Sequence, residues 1–331
     1  MVKEYQGSPI AVVITHRDLD GISSGFLLRK YIIESLKQDV KVLFTEPYLL
    51  HKTLSKVIKN LNKFKITHLY ISDLGLNTNN FDAVLNHLST VVSKGIKVLW
   101  FDHHVWEDEW IDKLKSLGIE LVIDRSTCAT GIVSGFLKKA GLSFIEDYNW
   151  LVRATCSLDL WVFDDPLAPW LSRVATYRND DLWRYNVMVL LERMSRGEGI
   201  KAIEPIVKDY VDKELRLYEQ YLKKSKVMNI GGVRFVFVVK RSDIPNTSYL
   251  GHYLLSAANA DVAVIIRGVT ISFRSREYDV RELAFRLGGG GHKCASGARL
   301  KVPLYVSLLT RLGFNSPLIN YVAKKIKEVI S

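Results

Sequence analysis

Residues 100–106 read Trp-Phe-Asp-His-His-Val-Trp, an acid and two imidazoles that come directly off an apolar run. Asp102, His103 and His104 at such a strand end would present oxygen and nitrogen donors at an edge where cations or phosphates bind. In isolation the stretch reads as readily as a turn, because Asp favours turns and caps helices, and a His pair is often only surface. Repetition shifts the balance. His16, Asp18 and Asp20, in T-H-R-D-L-D-G, follow an apolar run at 10–15, and Asp73, in I-S-D-L-G, follows another at 68–72. Carboxylates gathered in one place repel and raise one another's pKa, so a cluster of this kind calls for cations. Oxygen ligands mixed with imidazole suit Mn2+ or Mg2+ better than a thiolate-preferring metal. Two such ions bridged by a shared carboxylate stabilise the attacking and the leaving oxygen of a phosphoryl displacement.

For these residues to meet, the elements before them have to be parallel strands. Apolar runs at 10–15, 40–44, 68–72, 97–101 and 120–123 alternate with helical spacing at 22–36, 50–61, 80–92, 107–117 and 131–139. That alternation predicts an α/β domain with right-handed crossovers and a largely parallel sheet, whose strand C-termini lie on one edge. Residues 145–194 are rich in Trp, Leu and Arg and read as helical; their tryptophans read chiefly as packing. From 199 to 228, apolar residues recur at helical spacing between charges, which predicts a long amphipathic helix linking two domains. Beyond Gly231 and Gly232 the text gives a strand at 233–239, a helix at 249–258, a strand pair at 262–267 and 270–274, and helices at 280–287, 304–312 and 317–330. The expected organisation is a catalytic domain at 1–195, a helical linker at 196–230 and a smaller α/β domain with a mixed sheet at 231–331.

Composition bounds the function classes. The chain has 331 residues, 48% hydrophobic and 24% charged, as in a soluble globular protein with a substantial core. No signal-peptide layout or membrane-length apolar run is present, so the expectation is a cytoplasmic protein with no membrane partner. Cys128, Cys156 and Cys294 are widely spaced without a CxxC, and read as reduced, packed thiols. The formal net charge of +11 favours polyanionic partners, or serves solubility.

One more acid is expected from the helical region. Asp159, in C-S-L-D-L-W, sits among apolar residues, an unfavourable setting for an unpaired carboxylate. Asp164 and Asp165 precede Pro166 and read as a turn. Ser126, Thr127, Ala129 and Thr130, ahead of the fifth helix, read as its cap in preference to a border of the site. Near the end, residues 287–300 read L-G-G-G-G-H-K-C-A-S-G-A-R-L. Four glycines in succession fit a backbone that comes close to something, with exposed amides able to form an anion nest, or a flexible hinge. From 264 to 301 the chain carries eight Lys and Arg against three Asp and Glu, the charge balance of a face for a phosphate backbone.

Taken together, these blocks resemble the DHH phosphoesterase superfamily with its DHH-associated C-terminal domain, through HxDxD, the isolated Asp, Asp-His-His, a later Asp, S-F-R-S at 272–275 and GGGGH. The resemblance implies a phosphodiesterase with two Mn2+ ions, Mg2+ being the substitute. Asp18 would bind one ion and Asp20 the other, with Asp73 bridging them and His103 and Asp159 completing the second. Asp102 would orient the histidines, and His104 would sit beside the scissile phosphate. His16 lies two residues before the first Asp, a spacing similar to that of the archaeal RecJ-like branch, which leaves open whether it ligates directly. Arg274, Gly289, Gly290, Gly291 and His292, with Arg276 and Arg281 beside them, would hold the substrate's phosphates.

The expected function is therefore a RecJ-like exonuclease or an oligoribonuclease that accepts single-stranded DNA or RNA in a cleft between the domains and releases mononucleotides. Hydrolysis of a small nucleotide or cyclic dinucleotide, or a non-catalytic place in a replication or repair complex, are the alternatives. A replication or repair protein partner and a homodimer are carried as partner expectations.

Overall fold

The computed structural model describes residues 10–61 and 63–330, in two compact units, Met1–Ile203 and Glu204–Ser331. In the first unit the chain runs β1 (Ile10–Thr15), α1 (Leu19–Glu34), β2 (Asp39–Phe44), α2 (Leu50–Lys59), β3 (Ile66–Ser72), α3 (Phe81–Ser93), β4 (Lys97–Asp102), α4 (Asp108–Ser116), β5 (Glu120–Ile123) and α5 (Ala129–Lys139). Three further helices follow, α6 (Asn149–Asp159), α7 (Ala168–Ala175) and α8 (Asp181–Arg193).

The five strands form one parallel sheet in the order β2-β1-β3-β4-β5. Side chains alternate across a strand, so each strand feeds two cores. Val12 and Ile14, Leu69 and Ile71, and Val98 and Trp100 pack on Leu54, Val84, Leu88 and Leu114 of α2 to α4. Their neighbours Ala11, Val13, Tyr70 and Phe101 are buried as well, on the face where α1 and α5 lie. A sheet covered on both faces needs the near-continuous apolar runs seen in the sequence. The strand order reverses between β1 and β3, and that switch point opens a crevice at the strands' C-terminal ends.

The second unit runs α9 (Glu204–Lys223), β6 (Lys226–Ile230), β7 (Val233–Val239), α10 (Thr247–Ala257), β8 (Val262–Arg267), β9 (Thr270–Ser275), α11 (Val280–Arg286), β10 (Gly290–Gly291), β11 (Ala295–Arg299), α12 (Leu304–Arg311) and α13 (Ser316–Ile330). Its mixed sheet has the order β10-β11-β9-β8-β7-β6, with β7 and β8 parallel and the other pairs antiparallel. One face carries Phe235, Phe237 and Phe273 against α11 and α13; the other carries Val236, Val238 and Ile265 against Leu250 and Leu254 of α10.

Three expectations change. The amphipathic stretch does not stay helical to residue 228: α9 ends at Lys223, and β6 pairs with β7, each strand following the other across the tight turn at Gly231 and Gly232. Tyr221 of α9 packs with Val236 and Val238, so this helix belongs to the second unit's core. The glycine run is a short hairpin. Gly290 and Gly291 pair with Gly297 and Ser296, and a Cβ on Gly289 would lie 2.0 Å from the Gly297 carbonyl oxygen. The close approach that demands glycine at residues 289 and 291 is to β11, while Gly290 and Gly291 stay exposed. Finally, Cys128 and Cys156 are joined in a disulfide, and among the described residues only Cys294 is a free thiol. Their separation of 28 positions in sequence hid a contact that helix packing creates. Among the described residues no helix is long and apolar enough to cross a membrane.

Candidate metal centre

The C-terminal ends of β1, β3 and β4 deliver the first unit's acids and histidines to one place. Asp18 is the N-cap of α1, its Oδ1 accepting from the Gly21 amide at 3.0 Å. A Cβ at Gly21 would lie 2.4 Å from the His16 carbonyl oxygen, so this turn closes only with glycine. Asp73, one residue beyond β3, has φ 56° and continues the ladder by donating its amide to the Phe101 carbonyl at 3.0 Å. Asp tolerates that left-handed conformation better than most residues.

Two groups result. In one, His16 Nδ1 lies 2.8 Å from Asp18 Oδ2 and 3.5 Å from Asp73 Oδ2. In the other, His103 Nε2 lies 3.5 Å from Asp73 Oδ1, 3.5 Å from Asp159 Oδ2 and 3.9 Å from Asp20 Oδ2. Asp73 thus offers one oxygen to each group. His104 is set apart: its Nδ1 meets Asp102 Oδ1 at 2.9 Å, while Asp102 Oδ2 accepts from Trp106 Nε1 at 2.7 Å.

Asp20, Asp73, Asp102 and His103 are all nearly inaccessible to solvent. Burial, with Asp18 and Asp20 close by, pushes the Asp73 carboxyl well above the usual carboxylate range, and burial with Asp20 and Asp73 does the same to Asp159. Burial alone would lower the histidines, yet the surrounding acids override it: Asp18 holds His16 well up, Asp159 and Asp20 raise His103, and Asp102 raises His104 to about 9. Asp18 is held low by His16 against the effect of burial. Without cations, then, this cluster recruits protons to offset its negative charge. Asp73 Oδ2 and Asp159 Oδ2 are buried and accept no hydrogen bond. Two unsatisfied carboxylate oxygens, one in each group, are what a pair of hard divalent cations would complete, and the oxygen and imidazole donors fit Mn2+ or Mg2+.

The structure brings all six expected ligands, His16, Asp18, Asp20, Asp73, His103 and Asp159, into these groups, and places Asp102 and His104 beside them. Asp165 keeps to a turn, accepting from the Leu167 amide at 2.8 Å. The reading of Ala129 and Thr130 as a helix cap is corrected. Their amides donate to Asp20 Oδ2 and Oδ1 at 2.8 Å, and the Thr130 hydroxyl adds a bond at 2.6 Å. The N-terminus of α5, which no side chain of its own caps, therefore holds a carboxylate from α1, a favourable setting for an anion. Glu46 was missed. Its Oε2 lies 3.2 Å from His16 Nε2, so it fixes the ring while Nδ1 faces Asp18 and Asp73, the arrangement common for a ligating imidazole. Its signal was its place after β2, the strand beside β1.

In the second unit Arg274 lies on β9, half-buried, and its desolvation pulls the guanidinium down to about 10. Its Nη1 donates to the Phe273 carbonyl at 2.8 Å, and Nε and Nη2 lie 3.3 Å from Ser248 Oγ. Arg276 donates to Ser256, and the His292 amide closes the glycine hairpin on the Ala295 carbonyl at 2.8 Å.

No family model matches the chain. The oligoribonuclease NrnB of Bacillus subtilis is 24% identical over 308 residues, which cover 88% of this chain and 73% of that protein. Among solved structures, an exonuclease RecJ bound to manganese superposes with a TM-score of 0.57 at 13% identity, covering 97% of this chain and 94% of that one. A pGpG-specific phosphodiesterase, PggH, from Vibrio superposes with a TM-score of 0.51 at 16% identity over 96% of this chain and 99% of that one. With its motifs in this order, this fold around them and a relative that aligns across most of its length, the chain is similar to proteins of the DHH superfamily.

Proposed function

We propose that this protein is a Mn2+-dependent phosphodiesterase that hydrolyses the terminal phosphodiester of short or single-stranded nucleic acids and releases mononucleotides. One observation carries the reading: the carboxylate of Asp73 stands between two donor groups, with an oxygen directed to each. His16 and Asp18 would hold one ion and Asp20, His103 and Asp159 the other. The chemistry two such ions supply is acidification of a water and neutralisation of charge on the attacking and leaving oxygens.

The remaining residues have separable tasks. His104, with a side chain 35% exposed against 22% for His16 and 2% for His103, is the site's most accessible histidine. Held by Asp102 through Nδ1, it would carry a proton to the leaving oxygen. Arg274, Arg276, Gly289, Gly290, Gly291 and His292 would bind backbone phosphates and leave the bases unread, which accounts for the basic balance of residues 264–301. The relatives support this reading, since NrnB is named an oligoribonuclease and RecJ an exonuclease. The test is to incubate DNA and RNA oligonucleotides, labelled at either end, with the protein and Mn2+. Stepwise ladders are expected. Intact substrates in the presence of folded, Mn2+-loaded protein would sink the proposal.

A further inference from the structure

We infer that the Cys128–Cys156 disulfide is a positioning device for the metal centre, holding Asp20 and Asp159 at the separation that their shared ion requires, and that its reduction weakens that ion's binding. The inference rests on the metal reading above. Each end of the bond lies next to one of the two carboxylates. Cys128 immediately precedes Ala129 and Thr130, whose amides and hydroxyl carry both oxygens of Asp20. Cys156 lies one helical turn before Asp159, the last residue of α6, and its carbonyl accepts the amide that closes that helix, from Leu160 at 3.0 Å.

The two carboxylates are not equally supported. Asp20 accepts three hydrogen bonds, whereas Asp159 Oδ2 accepts none and has His103 Nε2 at 3.5 Å. The position of Asp159 therefore depends on where α6 lies. Thr155 ties that helix to α1 through Ser23 Oγ at 3.2 Å, and the disulfide ties it to the N-terminus of α5. Cutting the covalent tie leaves Asp20 held on α5 while Asp159 is free to move with α6, against the mutual repulsion of the acids.

Cys128 is fully buried, but Cys156 is partly exposed, so a small thiol has one sulfur to attack. A thiolate attacks Cys156 Sγ, and the Cys128 sulfur leaves as thiolate and takes up a proton. A second thiol attacks the mixed disulfide, leaving Cys156 as a thiol and the reductant as its own disulfide. Two electrons and two protons have passed to the protein, and nothing else is required.

The experiment compares Mn2+ binding, by calorimetry and by the electron paramagnetic resonance of the free ion, in the full chain as purified without reductant and after reduction with a dithiol and desalting under nitrogen. Thiol titration counts the free cysteines in each form, and far-UV circular dichroism checks the fold. A single free thiol is expected before reduction and three after it. Reduction should weaken Mn2+ binding roughly tenfold or more with unchanged secondary structure, the size of effect seen when the support of a metal ligand is removed. Reoxidation should restore it. The Cys128→Ser/Cys156→Ser double variant should bind like the reduced chain, and Cys294→Ser should keep the redox dependence. If the double variant fails to fold, the reduced chain still decides. Equal Mn2+ affinity in both forms, or three free thiols before reduction, overturns the positioning role and leaves the metal reading standing. If neither form binds Mn2+, both fall together.

Discussion

Asp102 and His104 are joined twice: Oδ1 of the buried carboxylate lies 2.9 Å from the imidazole Nδ1, and Oδ2 accepts the His104 backbone amide at 3.3 Å. A ring tethered at Nδ1 has its tautomer and orientation set, leaving Nε2 to handle protons. His104→Ala should lower kcat by about 100-fold or more, in the range of general acid–base contributions, with Mn2+ affinity nearly unchanged. Steady-state kinetics beside calorimetry checks the separation. A variant that loses Mn2+ binding in parallel with kcat would make His104 a ligand instead.

Asp73 allows a test that separates repulsion from ligation. Asn is the conservative choice, because it accepts the positive φ of 56° as Asp does. In Asp73→Asn the charge that burial and Asp18 oppose is gone, so the metal-free variant should melt at or above the metal-free wild type. Adding Mn2+ should raise the melting temperature of the wild type, since a ligand at about 100 times its Kd stabilises by about 2.7 kcal/mol, and chelation should reverse the gain. In the variant both the Mn2+ shift and turnover should disappear. An undiminished shift would remove Asp73 from the centre.

Much of this centre was legible because strand ends are local features. Ile10–Thr15 and Ile66–Ser72 announce themselves by β-branched residues, and an acid just past each is visible without the fold. Their gathering on one edge followed from parallel pairing alone. What escaped depends on register and distance. Glu46 reaches His16 only because β2 lies beside β1, and Asp20 reaches Thr130 across 110 residues. The stretch at Lys226–Ile230 carried the helix spacing onward until its pairing with β7 made it a strand. Likewise, neither the hairpin partner of Gly290 nor the partner of Cys128 is a property of the neighbouring residues.

Arg274 should act on substrate binding alone. Its side chain packs against Gly251, where a Cβ would lie 2.7 Å from Arg274 Cγ, so Gly251→Ala displaces the guanidinium without removing it. Both Arg274→Ala and Gly251→Ala should raise KM roughly tenfold, equal to about 1.4 kcal/mol, with Mn2+ affinity intact. Arg274→Lys should recover little, because an ammonium lacks the planar fork. An unchanged KM in Arg274→Ala would exclude the phosphate-binding role.

Lys240 gives a pH dependence away from the candidate metal centre. It is 4% exposed, and its Nζ donates to the Asp243 carbonyl at 2.9 Å. Burial, with Arg267 and then Arg274 adding repulsion, lowers its pKa to about 8, against about 10.4 in an unfolded chain. Below pH 8 both states hold the proton and the full penalty of burying the charge is present. Between the two values the folded chain releases the proton while the unfolded chain still binds it, so this residue's contribution to stability rises with pH. Lys240→Met removes that titration along with the hydrogen bond. Relative to wild type, the variant should be most favoured near pH 7 and lose ground steadily up to pH 10. Thermal unfolding of both proteins at pH 7, 8.5 and 10 measures this difference, and a difference constant across the three would mean that Lys240 keeps its ordinary pKa in the folded state.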